Sequence, residues 1–252
     1  MNYGLYLSAA GGLVQNSKLD VLANNMANVD TPGFKPDQLL VKERQAEAVE
    51  DGPYSFSNAL MNKIGGGLLF ERTAIDFSPG PLQQTGNVFD LAINGEGFFQ
   101  VQGEDGTFYT RAGNFVVDSE GRLAMPGGKY RVLDQGGAPV QVPPGQVTEV
   151  RTDGRVVVDG RVTGQVAVKA FSPEQLRALR KEGENLFDFQ GQGQPDDGTA
   201  DIRSGFVEGS TVNPITMMTE LINTQRNFDF NMRLVQMQDT LLETNAQVGR
   251  AL

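Results

Sequence analysis

Apolar residues near the N-terminus recur at the spacing of an α-helix. Between about Tyr3 and Asn28 they return repeatedly to one side of the helical turn. The residues on this side are Leu5, Ala9, Leu19, Ala23 and Met26. Other apolar residues lie outside this stripe, and a helix that is apolar on more than one face needs more than one neighbour. The helix is expected to end before Thr31-Pro32-Gly33, because proline followed by glycine favours a turn.

The C-terminal segment has a seven-residue pattern. One apolar row consists of Leu221, Phe228, Val235 and Leu242. A second row beside it consists of Met218, Gln225, Met232, Asp239 and Ala246, so polar residues interrupt it. Asn213 is expected to cap this helix, with Pro214 in its first turn. The pattern predicts a long helix with a coiled-coil seam, although an amphipathic helix packed on its own protein body has the same pattern.

The sequence between the two ends is typical of short β-strands. Apolar runs there are broken by Gly, Asn and Asp, which favour turns. The predicted strands cover residues 90–93, 98–101, 108–111, 114–117, 155–158 and 165–168. Ser172 and Pro173 open a short helical piece that is expected to extend to Leu179.

These patterns predict a mainly β protein with long terminal α-helices. The N- and C-terminal helices are expected to pack as a coiled-coil-like domain, and the middle is expected to form an irregular β-rich domain. The helical polymerisation domain would comprise residues 1–35 and 205–252. Residues 36–80 would form an extended connector with Gly65-Gly66-Gly67 as a flexible hinge. Residues 81–204 would form the β-rich outer domain.

Composition and charge argue against a nucleic-acid partner and against insertion into a membrane. The chain has 252 residues and a formal net charge of −10 without a run of Lys or Arg, so no nucleic acid is expected as a partner. No apolar run approaches the roughly 20 residues that span a bilayer, so no membrane insertion is expected. No Lys or Arg precedes Lys18, so the N-terminus lacks the basic region of a cleaved secretory signal.

The residue types that most enzymes use are missing. The sequence contains no His and no Cys, which excludes catalysis and metal binding through these side chains. The acidic pairs Glu104-Asp105 and Asp196-Asp197 are expected in solvated turns. Gly95-Glu96-Gly97 lacks the third glycine of a phosphate-binding loop, and Asp118 to Gly121 lacks the glutamate of a calcium loop and is expected to form a hairpin turn. No catalytic residue, cofactor or metal is therefore expected.

Three sequence motifs, one near each end of the chain and one in the middle, point to the same protein family. The first is Ala23-Asn24-Asn25-Met26-Ala27-Asn28 followed by Thr31-Pro32-Gly33-Phe34-Lys35. The second lies in the middle, at Asp90 to Phe99 and Phe108 to Phe115. The third begins at Gly209 to Asn213 and continues into the C-terminal helix. Together they resemble the motifs of bacterial flagellar basal-body rod and hook proteins, and the resemblance covers essentially the whole chain.

The resemblance implies a structural rod subunit and not an enzyme. In such a rod, the terminal helices of many copies pack into a tubular core around the export channel, the β domain lies outside, and the shaft transmits torque. The contacts between subunits are expected at Leu5, Leu19, Asn24, Asn25, Met26, Asn28, Met218, Leu221, Gln225, Phe228, Met232, Val235 and Leu242. The implied partners are copies of the chain, other rod and hook proteins and the flagellar export apparatus. The implied location is the periplasmic rod, reached without a cleaved signal peptide.

Other functions remain open at this point. The short region after Lys35 favours the proximal type of rod subunit, but a distal rod or hook subunit shares the N-terminal motif. A cell-wall hydrolase would need two acidic side chains about 5 to 9.5 Å apart in one cleft, and no such pair stands out. A β-rich binding module whose helices only dimerise is a third hypothesis.

Overall fold

A computed structural model of the protein describes residues 3–43, 68–143, 148–198 and 201–250. The helices are α1 (Tyr3–Ala27), α2 (Pro173–Leu176) and α3 (Pro214–Arg250). The strands are β1 (Asp37–Glu43), β2 (Leu68–Ile75), β3 (Leu82–Gln84), β4 (Leu91–Asn94), β5 (Phe98–Gln102), β6 (Thr107–Thr110), β7 (Val116–Val117), β8 (Leu123–Ala124), β9 (Arg131–Val132), β10 (Thr148–Val150), β11 (Arg155–Val158), β12 (Arg161–Gln165), β13 (Val168–Ala170), β14 (Leu179–Lys181), β15 (Leu186–Phe189), β16 (Asp196–Asp197), β17 (Asp201–Ser204) and β18 (Phe206–Glu208). The predicted hinge Gly65-Gly66-Gly67 lies outside the described residues.

The chain forms two compact units, each assembled from distant parts of the sequence. The first, called here the helical unit, consists of Met1–Ala27, Asp37–Asp76 and Asn213–Leu252. The second, called here the β unit, consists of Asn28–Pro36 and Phe77–Val212. Both terminal helices therefore belong to one unit, while the β-rich middle of the sequence belongs to the other.

The helical unit contains α1, α3 and the antiparallel strand pair β1 and β2. Asn213 caps α3, because its Oδ1 accepts hydrogen bonds from the backbone N–H groups of Ile215 (3.0 Å) and Thr216 (3.2 Å). Pro214 occupies the first helical turn, where its missing N–H leaves no bond unmade. The predicted start of α3 and the predicted extent of α1 are thus confirmed. Within the described ranges, no helix is both long and apolar enough to cross a membrane.

The β unit is built around one nine-stranded sheet. Seven strands follow the order β14-β15-β6-β5-β9-β8-β7, and β13 pairs with both β5 and β16. A three-stranded sheet has the order β10-β11-β12, and β17-β4 and β18-β3 form antiparallel pairs. The core consists of fully buried apolar side chains: Leu91, Phe99, Val101, Phe115, Leu123, Val132, Leu186 and Ile202. The predicted class, a β-rich middle with a helix near each end, is confirmed.

One predicted strand is divided in two. Residues 165–168 do not form a single strand, because Gln165 ends β12 and Val168 begins β13. Between them, the backbone N–H groups donate to the carbonyl oxygens of Gly154 and Leu133. The apolar run is continuous in the sequence, but its backbone changes hydrogen-bonding partners halfway along.

The short helix α2 begins as predicted and ends earlier. Ser172 and Gln175 form a reciprocal capping box, in which each side chain accepts a hydrogen bond from the backbone N–H of the other. The helix ends at Leu176 and does not reach Leu179. Leu179 instead pairs with Phe189 at the start of β14, so strand pairing and burial determine its conformation.

Of two acidic segments that were predicted to form turns, one does so and the other forms a strand. Asp118 to Gly121 form the predicted hairpin turn between β7 and β8, where Oδ1 of Asp118 accepts from the backbone N–H groups of Glu120 and Arg122 at 2.8 and 2.9 Å. The prediction of a turn at Asp196-Asp197 is wrong, because these residues form β16 and pair with β13. Asp197 also forms an ion pair with Lys169 on the neighbouring strand.

Candidate subunit interface

The helices α1 and α3 pack against each other in opposite directions. Gly4 lies beside Gln238 and Gly11 lies beside Asn231, so residue numbers rise along one helix and fall along the other. A Cβ atom at Gly4 would lie 2.9 Å from Nε2 of Gln238, and one at Gly11 would lie 3.4 Å from Nδ2 of Asn231. Glycine at both positions, about two helical turns apart, lets these amide side chains approach the backbone of α1.

The face of α3 that turns toward α1 is only partly apolar. This inner face of α3 consists of buried and half-buried residues: Met217, Leu221, Thr224, Phe228, Asn231, Val235 and Gln238. Thr224 is buried, and so is Oε1 of Gln238, which has no hydrogen-bond partner in the described part of the chain. Gln238 Oε1 is therefore an unfavourable element of this contact, because a buried polar atom without a partner costs free energy.

The residues predicted as contacts on α3 are divided between two faces. Half-buried on the inner face are Leu221, Phe228 and Val235. Met218, Gln225 and Leu242 are exposed to solvent, and Met232 is 39% exposed although its Sδ would lie 3.8 Å from a Cβ atom at Gly12 of α1. Leu242 continues the row of Leu221, Phe228 and Val235. It is exposed because Gln238 already lies beside Gly4, near the start of α1, and α3 continues past that position. The side chain of Ala246 lies outside the described residues.

This division explains why the coiled-coil packing is not confirmed. Met218 and Met217 lie three and four residues before Leu221, on opposite sides of the row that contains Leu221. Sequence reasoning selected Met218 and Met232 because they are apolar, whereas the packed positions are Met217, Thr224 and Asn231. A row that is mostly polar gives no hydrophobic period, so the sequence did not reveal it.

The residues predicted as contacts on α1 include one that the chain itself buries. Leu5, Leu19 and Met26 are half-buried, and Asn24 is exposed. Asn25 is buried, and its side chain exchanges two hydrogen bonds with the backbone of Asp37: Nδ2 donates to the carbonyl oxygen (2.8 Å) and Oδ1 accepts from the N–H (3.0 Å). This pair joins the last turn of α1 to the start of β1 within the helical unit. Asn28, in the β unit, is half-buried.

The opposite side of α3 carries apolar residues that face solvent. This outer face of α3 consists of Ile215, Ile222, Arg226, Phe230, Arg233 and Met237, which lie about 130° to 170° around the helix from the centre of the inner face at about 100° per residue. Ile222, Phe230 and Met237 are 55%, 62% and 58% exposed. Sequence reasoning missed this face, although the pairs Ile215–Ile222 and Phe230–Met237 also repeat at an interval of seven residues.

A buried group of three charges lies in the β unit. Nζ of Lys35 is 2.6 Å from Oε1 of Glu208, and Nη1 of Arg111 is 3.1 Å from Oε2 of Glu208. All three side chains are buried. Oε1 of Glu208 also accepts from the backbone N–H of Gly80, and Lys35 Nζ donates to the carbonyl oxygen of Ser78. The carboxylate of Glu208 thus joins two cations from distant parts of the chain.

The surroundings of Arg111 change its pKa in two opposing ways. Burial lowers the pKa of the Arg111 guanidinium from its ordinary value, while the nearby Glu208 carboxylate acts in the opposite direction. Nη2 of Arg111 donates to the carbonyl oxygen of Gly95, and the guanidinium lies 5.1 Å from the centroid of the Phe98 ring. Nε of Arg111 is buried and has no hydrogen-bond partner among the described residues. The group is enclosed by protein and therefore serves structure.

The turn at Thr31-Pro32-Gly33 is fixed in the same region. Gly33 has a φ of +68°, and its backbone N–H donates to the carbonyl oxygen of Glu208 at 2.7 Å. A Cβ atom at this position would lie 2.3 Å from the backbone nitrogen of Ala112. Both the backbone conformation and the close approach require glycine, so the motif that the sequence singled out has a structural role in the β unit.

Known protein families match both ends and the middle of the chain. Residues 7–35 match the family described as flagella basal body rod protein. Residues 92–162 match the family described as flagellar hook protein FlgE/F/G D1 domain. Residues 203–248 match the family described as flagellar basal body rod FlgEFG protein C-terminal.

Individual relatives are similar over nearly their full length. The chain is 34% identical to the flagellar basal-body rod protein FlgG of Bacillus subtilis over 98% of both proteins. It is 35% identical to the flagellar basal-body rod protein FlgF of Caulobacter vibrioides over 91% of this chain and 90% of that protein. It is 30% identical to FlgF of Mesorhizobium japonicum over 94% and 93% of the two chains.

Proposed function

This chain belongs to the family of flagellar basal-body rod proteins, and we propose that its terminal helices polymerise to form part of the torque-transmitting shaft. It is a structural subunit of the flagellar basal body. Its polymerisation domain would comprise residues 1–35 and 205–252, with a connector at 36–80 and the β-rich part at 81–204 on the outside. In the assembled shaft, the helices of successive copies would pack in a coiled-coil-like manner around a central channel.

The exposed outer face of α3 is the observation that carries this proposal. Ile222, Phe230 and Met237 are each more than half exposed on the side opposite α1. Complete burial of side chains of this size stabilises an association by about 1.5 to 3 kcal/mol each. A row of such residues along a helix is typical of a surface that another protein covers. The exposed Met218, Gln225 and Met232 lie between this face and the inner face, and Leu242 lies in line with the inner face; all four remain proposed contacts.

The proposed partners follow from the same role. They are further copies of the chain, other rod and hook proteins, and the export apparatus that would carry the chain out of the cell without a cleaved signal peptide. The similarity to proteins named FlgF and to proteins named FlgG favours neither position along the rod. The short segment after Lys35 supports a proximal position, which complementation of strains that lack either the proximal or the distal subunit would test.

The proposal gives the chain no catalytic role, and it uses no cofactor or metal. The absence of His and Cys from the sequence supports it, since the commonest general bases and nucleophiles are missing. A zymogram with peptidoglycan in the gel tests this part of the proposal. A cleared band at the position of the purified chain would support the cell-wall hydrolase instead.

Two substitutions to glutamine test polymerisation through α3. Phe230→Gln, together with Ile222→Gln, removes apolar area from the outer face, and we expect it to reduce incorporation into purified basal bodies and to impair swimming. Asn227→Gln is the control, because it places the same residue at an exposed position of the same helix outside both faces and outside the proposed contacts. Normal incorporation of the double variant, at a cellular level equal to that of the control, would refute the proposal.

A further inference from the structure

The pair of terminal helices exposes two different faces that point away from each other. On α1, Leu13 is 71% exposed and Asp20 is exposed. Both lie roughly half a turn from Gly4 and Gly11, the residues that contact α3, at about 100° per residue. Leu13 and Asp20 define the outer face of α1. They cannot reach the outer face of α3 within the same chain, because the packed helices lie between the two.

The two outer faces are complementary in charge. Arg226 and Arg233 are exposed on α3, and Asp20 is exposed on α1. None of these three side chains forms an ion pair with another described residue. The positive charges lie among apolar residues on one face, and the negative charge lies beside an apolar residue on the other.

The two faces also match in spacing. Leu13 and Asp20 are seven residues apart, as are Arg226 and Arg233, which corresponds to about 10.5 Å along a helix in each case. When α1 is placed antiparallel on α3 with Asp20 beside Arg226, Leu13 is level with Arg233. It then lies between Phe230 and Met237, which occupy the turns before and after that position. One alignment therefore satisfies both the charge and the apolar contact.

We propose that the outer face of α1 of one copy docks on the outer face of α3 of a second copy, with Asp20 beside Arg226 and Leu13 between Phe230 and Met237. The inference rests on the proposed function, because it names which helix face each subunit offers to the next. Since the two faces differ and lie on opposite sides of the helix pair, the contact is heterologous, and each copy that uses one face still offers the other face to a further copy.

Cysteine cross-linking between different copies tests the pairing directly. The chain has no cysteine of its own, so an Asp20→Cys copy and an Arg226→Cys copy can be produced together in cells that lack the unmodified chain. Oxidation of basal bodies is expected to give a covalent dimer. Asn227→Cys replaces Arg226→Cys in the control, because Asn227 is exposed, lies one residue away and about 100° around the helix, and is not among the proposed contacts.

The expected yield of dimer is at least about tenfold higher with Arg226→Cys, because two cysteines bridge only when their Cα atoms lie within about 7 Å. Equal yields from the two pairs, or no dimer in basal bodies that contain both variants, would overturn the proposed pairing. Incorporation of the variants with no specific cross-link would leave the proposed function intact. Failure of the unmodified chain itself to enter basal bodies would count against the proposed function.

Charge reversal provides a second, independent test in the full chain. Asp20→Arg is expected to reduce incorporation only about fivefold, since exposed pairs of this kind are individually weak. Combining Asp20→Arg with Arg226→Asp in the same chain is expected to restore at least about half of this loss. The control combines Asp20→Arg with Arg151→Asp, which restores the net charge at an exposed position of the β unit. Equal restoration by both double variants would refute the contact.

Discussion

Lys35 and Glu208 are 173 residues apart in the sequence, yet Nζ of Lys35 lies 2.6 Å from Oε1 of Glu208 in the interior of the β unit. The other carboxylate oxygen of Glu208 accepts from Arg111. A single carboxylate therefore faces two buried cations, and the segments that carry Lys35 and Glu208 are held side by side. Removing one partner from such a group leaves a charge in a place that water cannot reach.

Glu208→Gln is expected to destabilise the protein by about 3 to 5 kcal/mol, because it removes the buried carboxylate charge that Lys35 and Arg111 share. Urea unfolding of the full chain, followed by far-ultraviolet circular dichroism, measures the change. Asp153→Asn is the control, since the pair formed by Asp153 and Arg155 is about half exposed and is expected to contribute less than about 1 kcal/mol. Similar losses in the two variants would contradict a special role for the buried group.

Asp118 is expected to make the stability of the hairpin between β7 and β8 depend on pH. The backbone N–H of Arg122 donates to its carboxylate, and this bond is the main cause that lowers the pKa of Asp118 below its ordinary value; the Arg122 guanidinium adds to the effect. Because the folded-state pKa is depressed, the stabilisation is complete above the unfolded value of about 3.9 and declines as the pH falls through the folded value.

Nuclear magnetic resonance titration of Asp118 in the folded chain checks this prediction. We expect the pKa to lie below that of the same residue in a peptide of residues 114–124, and Arg122→Ala to raise it. The stability difference between the unmodified chain and Asp118→Asn should become smaller as the pH falls below about 4. A difference that is constant over this range would show that Asp118 does not act through its charge.

Gly33→Ala is expected to be more damaging than an alanine at another glycine of similar conformation. Gly33 has a φ of +68°, and a Cβ atom there would lie 2.3 Å from the backbone nitrogen of Ala112. Gly160 has a φ of +78°, but nothing lies within 4 Å of its Cβ position. Gly160→Ala should cost only the conformational term of about 1 to 2 kcal/mol, while Gly33→Ala adds a backbone clash. Equal unfolding free energies for the two variants would be inconsistent with the close approach at Gly33.

Local signals in the sequence predicted the elements that local chemistry determines. Asn213 and Pro214 mark the start of α3 because capping involves residues adjacent in the chain. The capping box at Ser172 was predictable for the same reason. The end of α2 was not, because the conformation of Leu179 depends on its pairing with a strand formed later in the sequence.

The candidate site was less predictable, for two physical reasons. Lys35 and Glu208 appear in the sequence as ordinary surface charges, and only the fold brings them together in the interior. The inner face of α3 contains Thr224, Asn231 and Gln238, which give no hydrophobic period. Glycines on α1 leave room for two of these side chains, Asn231 and Gln238, and only the packed helices show this. A search for seven-residue repeats among all apolar residues of α3 would have found its outer face.

The two adjacent glycines in the middle of α1 are expected to respond differently to alanine. Gly12→Ala should stabilise the helical unit by about 1 kcal/mol, since alanine is the better helix former and a Cβ atom there meets only Sδ of Met232 at 3.8 Å and Cβ of Asn231 at 4.0 Å. At Gly11 the same gain is opposed, because the new Cβ lies 3.4 Å from the amide of Asn231. Hydrogen exchange of the α1 amides measures both effects.

A double-mutant cycle identifies the cause of the difference between these glycines. If the Asn231 amide limits the gain at Gly11, then Gly11→Ala in an Asn231→Ala background should stabilise α1 as much as Gly12→Ala does in the unmodified chain, and the two changes should be non-additive by a few tenths of a kcal/mol or more. Gly12→Ala combined with Asn231→Ala should be additive. Additivity in both combinations would mean that Gly11 does not hold α1 against α3 through the space it leaves for Asn231.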